Sequence, residues 1–89
     1  MKILVTGGLG FIGHNVVSRL QQQGHECYII DIATNYNLLN QDELENVLFQ
    51  RAKLIGGSIW DSADIRDTKS VEKIIDTFKP ECIIHLASF

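Results

Sequence analysis

The chain has 89 residues, of which 45% are apolar, 21% charged and 8% aromatic, a composition that excludes a disordered tail and allows one small globular domain. Eight basic side chains against eleven acidic ones give a net charge of −3 with no basic block, which excludes a nucleic-acid or other polyanion binder built on charge. No stretch approaches the ~18 apolar residues of a membrane span, the N-terminal apolar run is too short for a secretory signal, and Cys27 and Cys82 each sit in an apolar run as reduced core residues, so the expected location is the cytoplasm, with no membrane partner.

Ile3 to Val5 is a short aliphatic run ended by Thr6-Gly7-Gly8, the form of a strand buried on both faces. From Phe11 the period becomes helical: Phe11, Ile12, Val16, Val17 and Leu20 share a face, and Gly24 is the stop. Cys27 to Ile32 is the second strand, with Asp31 near its end. After an Asn-rich loop, Asn40 can cap a second helix with Glu43 three residues on; Leu44, Val47, Leu48, Ala52 and Ile55 follow at helical spacing, and Gly56-Gly57 closes it. Ser58 to Ala63 is a weak short strand, with Trp60 as core or edge cover. Asp67 can cap a third helix carrying Val71, Ile74, Ile75 and Phe78 on one face and closed by Pro80, and Cys82 to Ala87 is the fourth strand.

This alternation of strand and helix calls for parallel strands joined by right-handed crossovers and covered by helices. The expected architecture is α/β: a partial Rossmann-like parallel sheet of about four strands in the order 3-2-1-4 with three helices, where the full doubly wound form has ~6 strands. Strand four is then an open apolar edge, a route to self-association, and the chain is expected to be truncated.

Between the first strand and first helix lies Thr6-Gly7-Gly8-Leu9-Gly10-Phe11-Ile12-Gly13, readable as glycines at 7, 10 and 13 or as Gly8-x-Gly10-x-x-Gly13. Either way glycine stands where the strand turns sharply, where backbone must approach a pyrophosphate, and where helix must pack on strand. The free N–H groups and positive dipole end of the helix face the anion. No Gly-Lys-Ser/Thr follows, so the turn is not a P-loop. Asp31 comes about 18 residues after Gly13, near the ~20 expected of the carboxylate that accepts from the adenosine ribose hydroxyls. A carboxylate there repels a 2′-phosphate, and 32–37 contains no Arg or Lys, which favours NAD over NADP. His14, His25 and His85 fall on a helical turn, a turn and a strand without metal-ligand spacing and are read as structural.

With these residues placed, the chain resembles the extended short-chain dehydrogenase/reductase family, in particular its NAD-dependent nucleotide-sugar epimerases and dehydratases of the UDP-glucose 4-epimerase type. The likeness rests on residues 6–13, on Gly24-His25-Glu26, on Asp64-Ile65-Arg66-Asp67 and on Ile83-Ile84-His85-Leu86-Ala87-Ser88. It implies that Phe11 and Ile12 lend backbone amides to the pyrophosphate, that Asp31 holds the ribose, that Asp64 and Ile65 flank the adenine, and that Leu86, Ala87 and Ser88 line the cofactor near the end of strand four. In this family a tyrosine, with a lysine four residues on, abstracts a sugar hydroxyl proton. The positions four beyond Tyr28 and Tyr36 are Ile32 and Asn40, so no catalytic residue is assigned.

Residues 1–89 are accordingly expected to be the N-terminal part of an NAD(P)-binding Rossmann domain without its catalytic and substrate-binding portions. Such a segment binds the dinucleotide, meets a nucleotide sugar only in a complete enzyme, and is inactive alone. The alternatives are a stand-alone NAD-binding sensor or interaction module, and a fragment of an NADP-dependent reductase.

Overall fold

The aliphatic run at Ile3, Leu4 and Val5 becomes the centre of a sheet because both of its faces can be buried, and in the computed structural model, which describes residues 1–32 and 40–87, all three side chains are buried. In chain order the elements are β1 (Lys2–Thr6), α1 (Phe11–Gln22), β2 (Glu26–Ile30), α2 (Gln41–Leu54), β3 (Ile59–Asp61), α3 (Thr68–Phe78) and β4 (Cys82–His85). The four strands form a parallel sheet in the order β3-β2-β1-β4, the expected Rossmann-like arrangement. β2, β3 and β4 are shorter than the apolar runs that signalled them. The strand pairs stop at Ile30, Asp61 and His85, where the chain turns toward the carboxyl edge of the sheet.

Alternation along each strand divides the interior in two. Ile3, Val5, Cys27 and Ile29 point to the face covered by α1 and α2, where they meet Leu9, Val17 and Ile55, with Leu20, Leu48 and Ile84 packed against them. Leu4 and Ile30 point to the opposite face and meet Ile74 of α3, with Tyr28, Ala63, Ile65 and Ile75 around them. Each fully buried aliphatic side chain contributes about 1.5–3 kcal/mol relative to its exposed state. Burial pushes the Cys27 thiol up from its ordinary range, which keeps it a core group and not a nucleophile.

Two expectations change in the folded chain, and a third is decided between its alternatives. Cys82, like Cys27, is a free thiol, but it is exposed and not part of the core, because β4 is a sheet edge that, among the described residues, pairs only with β1. Phe11 and Ile12 are 73% and 65% exposed, because the first turn of α1 stands at the carboxyl edge of the sheet; Val17 is the residue of that apolar set that seals the core. Trp60 is edge cover: it is about half exposed on β3, and its indole N–H donates to the Asp31 carbonyl at 2.9 Å. The Asn-rich loop, including the segment without Arg or Lys beyond Ile32, lies outside the described residues, as do Ser88 and Phe89.

The helix ends follow their capping residues. The Asn40 side chain accepts from the Glu43 amide at 2.8 Å and donates to the Glu43 carboxylate at 2.8 Å, opening α2. Lys79 takes a left-handed conformation just before Pro80 and ends α3. At the other end of α3, Asp67 accepts from the Ser70 amide at 3.3 Å and from the Ser70 hydroxyl at 2.7 Å. Those Ser70 bonds favour the charged carboxylate and hold its pKa below the usual range. The Asp67 contribution to stability is therefore fully present above the ordinary carboxylate range and lost as pH falls through the depressed value. In urea unfolding across pH 7 to 2, the stability gap between the wild-type chain and Asp67→Asn is expected to narrow steadily with acidification; a gap independent of pH would remove Asp67 as a charged cap.

Candidate dinucleotide-binding site

A parallel sheet places the carboxyl ends of all its strands at one edge, so the turns after β1, β2, β3 and β4 converge there. The order reverses at β1: the chain moves outward through β2 and β3, then returns to put β4 on the other side, with α3 on the opposite face from α1 and α2. This reversal is the switch point at which open α/β sheets hold ligands. The glycine-rich turn, residues 7–10, occupies it.

The turn is closed by backbone. The Gly7 amide donates to the Ile30 carbonyl at 2.8 Å, and the Gly10 amide donates to the Gly7 carbonyl at 3.0 Å. Gly7 has φ +74°, a left-handed conformation that a side chain would strain, and a Cβ there would lie 2.8 Å from the Ala87 nitrogen. At Gly13 the reason is contact: a Cβ would overlap the Gly7 carbonyl oxygen, so only a glycine lets α1 sit this close to the end of β1. Gly10 is the N-cap, and its carbonyl accepts from the His14 amide at 3.0 Å, the first helical bond. The amides of Phe11, Ile12 and Gly13 have no acceptor among the described residues. Three N–H groups at the positive end of a 12-residue helix therefore point into the switch point, which suits an anion.

His14 is buried, and its Nδ1 lies 2.8 Å from the Gly10 carbonyl, a structural role as expected. Gly8 belongs to only one of the two spacings, yet it too is fitted to its place: a Cβ would come within 2.6 Å of the buried Ile29 side chain.

Asp31 follows β2 directly. Its Oδ2 accepts from the Leu9 amide at 2.9 Å, so the carboxylate and the glycine turn are physically joined. Leu86 and Ala87 follow β4 and are tied to the same turn through Thr6. The Thr6 hydroxyl accepts from the Leu86 and Ala87 amides at 3.1 and 3.3 Å and lies 2.6 Å from His85 Nδ1. The strand pattern gives no sign of this hub, because a threonine ending a strand is ordinary.

Asp64 and Ile65 come after β3 on the same edge. Ile65 packs against the cluster of Leu4, Ile30 and Ile74 on the α3 side. The Asp64 carboxylate is held within its own turn, accepting from the Arg66 amide at 2.9 Å and pairing with the Arg66 guanidinium at 2.6 Å, which holds its pKa below the usual range. So Gly7, Gly10, Phe11, Ile12, Gly13, Asp31, Leu86 and Ala87 form one connected group, Asp64 and Ile65 stand beside it after β3, and Ser88 lies outside the described residues. Among the described residues no cluster of three metal-ligating side chains occurs, and no helix is long and apolar enough to cross a membrane.

The sequence model of the GDP-mannose 4,6 dehydratase family matches residues 4–89. UDP-glucose 4-epimerase of Klebsiella pneumoniae is 34% identical over 87 residues, covering 98% of this chain and 58% of the relative. That of Neisseria meningitidis serogroup B is 34% identical, covering 97% of this chain and 24% of the relative. A solved UDP-glucose 4-epimerase from Stenotrophomonas maltophila, with bound NAD and formylated UDP-arabinopyranose, superposes with a TM-score of 0.78 at 30% identity, covering all of this chain and 25% of that one. The chain thus spans a quarter to somewhat over half the length of these relatives.

The glycine contacts separate two costs. Gly24 has φ +88° with nothing within 4 Å of an added Cβ, so Gly24→Ala is expected to lose about 1 kcal/mol from backbone strain alone. Gly13→Ala must also force α1 off the turn and should lose more than Gly24→Ala in urea unfolding. Equal losses would show that the close approach of helix and turn contributes nothing.

Proposed function

The chain belongs to the GDP-mannose 4,6 dehydratase family, and from that premise we propose that it forms the adenosine-diphosphate half of an NAD site in an enzyme of nucleotide-sugar epimerisation or dehydration. The observation that carries this reading is the link between the amides of Phe11, Ile12 and Gly13, which have no acceptor among the described residues, and the Asp31 carboxylate through a single residue, Leu9. A pyrophosphate on the helix end then leaves the adenosine ribose toward the end of β2, where the carboxylate accepts its hydroxyls. The Stenotrophomonas neighbour, solved with NAD, supports the same choice of cofactor.

The division of labour follows from the residues present. The turn and α1 hold the pyrophosphate, and Asp31 holds the ribose and repels a 2′-phosphate. Asp64 and Ile65 take the adenine edge, while Leu86, Ala87 and Ser88 wall the cofactor beyond β4. NAD, when bound, supplies hydride acceptance from a sugar carbon and its return. No tyrosine of this chain has a lysine four residues on, so these 89 residues bind and orient the cofactor but do not move the sugar proton. The β4 edge offers unpaired backbone and an exposed Ile83, a surface suited to pairing with further strand, from a longer chain or from a second copy.

Calorimetry with NAD and NADP tests the assignment. Asp31→Asn retains an acceptor for the Leu9 amide but removes the charge. It is expected to weaken NAD about tenfold while leaving NADP unchanged or improved. Equal weakening of both cofactors would reduce Asp31 to a turn support, and no NAD binding to the wild-type chain would refute binding by this segment on its own.

A further inference from the structure

We propose that Arg51 is a positioning residue of the phosphate-binding turn, which its guanidinium grips from α2 by the Leu9 carbonyl. The inference rests on the reading of that turn as the pyrophosphate site. Its starting point is a mismatch of pattern and chemistry. Leu44, Val47, Leu48 and Ile55 mark the stripe of α2 that packs inward, and Arg51 falls on the same stripe, between Leu48 and Ile55, where the helical period calls for an apolar residue. A half-buried arginine on such a face requires a partner. It has one far away in sequence: Arg51 Nη1 donates to the Leu9 carbonyl at 2.8 Å.

Leu9 is the pivot of the turn. Its side chain is in the core, its amide donates to Asp31 at 2.9 Å, and its carbonyl accepts from Arg51. The peptide between Leu9 and Gly10 is thereby held at both ends, with its C=O on the Arg51 guanidinium and its N–H on the Gly7 carbonyl at 3.0 Å. Flipping that peptide breaks both bonds and aims the Leu9 carbonyl at the Gly7 carbonyl, two acceptors face to face, so the turn that precedes the Phe11, Ile12 and Gly13 amides loses its shape. Arg51 therefore acts through Leu9 to hold the turn in the shape that places those amides, and α2 becomes a support of the anion site without touching the anion.

The test uses the whole chain as wild type, Arg51→Met and Arg51→Lys, with amide exchange followed by NMR without ligand and calorimetry with NAD, ADP-ribose and adenosine. Arg51→Met keeps a flexible apolar stem but no donor. It should speed exchange at Leu9 and Gly10 while Leu4 and Ile29 in the sheet keep their protection. It should also weaken NAD and ADP-ribose about tenfold and leave adenosine unaffected; Arg51→Lys should recover part of both effects. Unchanged exchange at Leu9 and Gly10, equal weakening of adenosine and ADP-ribose, or a lysine variant no better than the methionine one would each overturn the proposal. In the wild-type chain, a slowly exchanging Arg51 Nη–H coupled to the Leu9 carbonyl carbon is expected. Its absence overturns the proposal even if Arg51→Met fails to fold. A wild-type chain that binds neither NAD nor ADP-ribose defeats the pyrophosphate reading, and the exchange data then decide the grip of Arg51 on Leu9 by themselves.

Discussion

The approach of Gly13 to the Gly7 carbonyl governs the rest of the molecule. With no side chain between them, the first turn of α1 lies directly on the end of β1. That contact sets the angle at which α1 returns over the sheet, and so places Val17 and Leu20 against Ile3, Val5, Cys27 and Ile29. It also leaves the first amides of the helix at the mouth of the turn without partners among the described residues. One steric fact therefore supplies both the packing of the larger core and an electropositive site, because the donors at a helix start are unsatisfied wherever that start is placed.

Side-chain polar groups then lock the turn from three directions. Asp31 holds the Leu9 amide from the end of β2, Arg51 holds the Leu9 carbonyl from α2, and the Thr6 hydroxyl gathers the amides of Leu86 and Ala87 after β4. None of these bonds lies within one element; each ties the turn to a part of the chain more than twenty residues away. A site assembled this way is stiff, and stiffness matters for anion binding because amides already aimed at the ligand need not be ordered when it arrives.

The same architecture explains where apolar side chains remain outside. β3 and β4 are the two edges of the sheet, and Ile59, Trp60 and Ile83 on them are half exposed. Phe11 and Ile12 stand on the first turn of α1, clear of the sheet, where their side chains have no core to enter. Cys82 is exposed for the same reason as Ile83, despite a sequence as apolar as that of β1.

Sequence by itself determined the order and kind of the elements. Aliphatic runs of three to six residues between turn signals can only be short strands, helical spacing from Phe11, Leu44 and Val71 marks helices, and that alternation requires a parallel sheet with β1 inside. It also located the glycine turn and Asp31, since steric demand and separation along the chain are both one-dimensional facts. Tertiary structure alone decided which glycine contacts matter, with Gly13 set by the Gly7 carbonyl and Gly8 by Ile29. It likewise showed that an apolar run at a sheet edge stays exposed, and that Thr6 and Arg51 bond across the fold, Thr6 to Leu86 and Ala87 and Arg51 to Leu9. Their partners lie about 80 and 42 residues away along the chain, and a hydrogen bond between distant residues leaves no trace in local pattern.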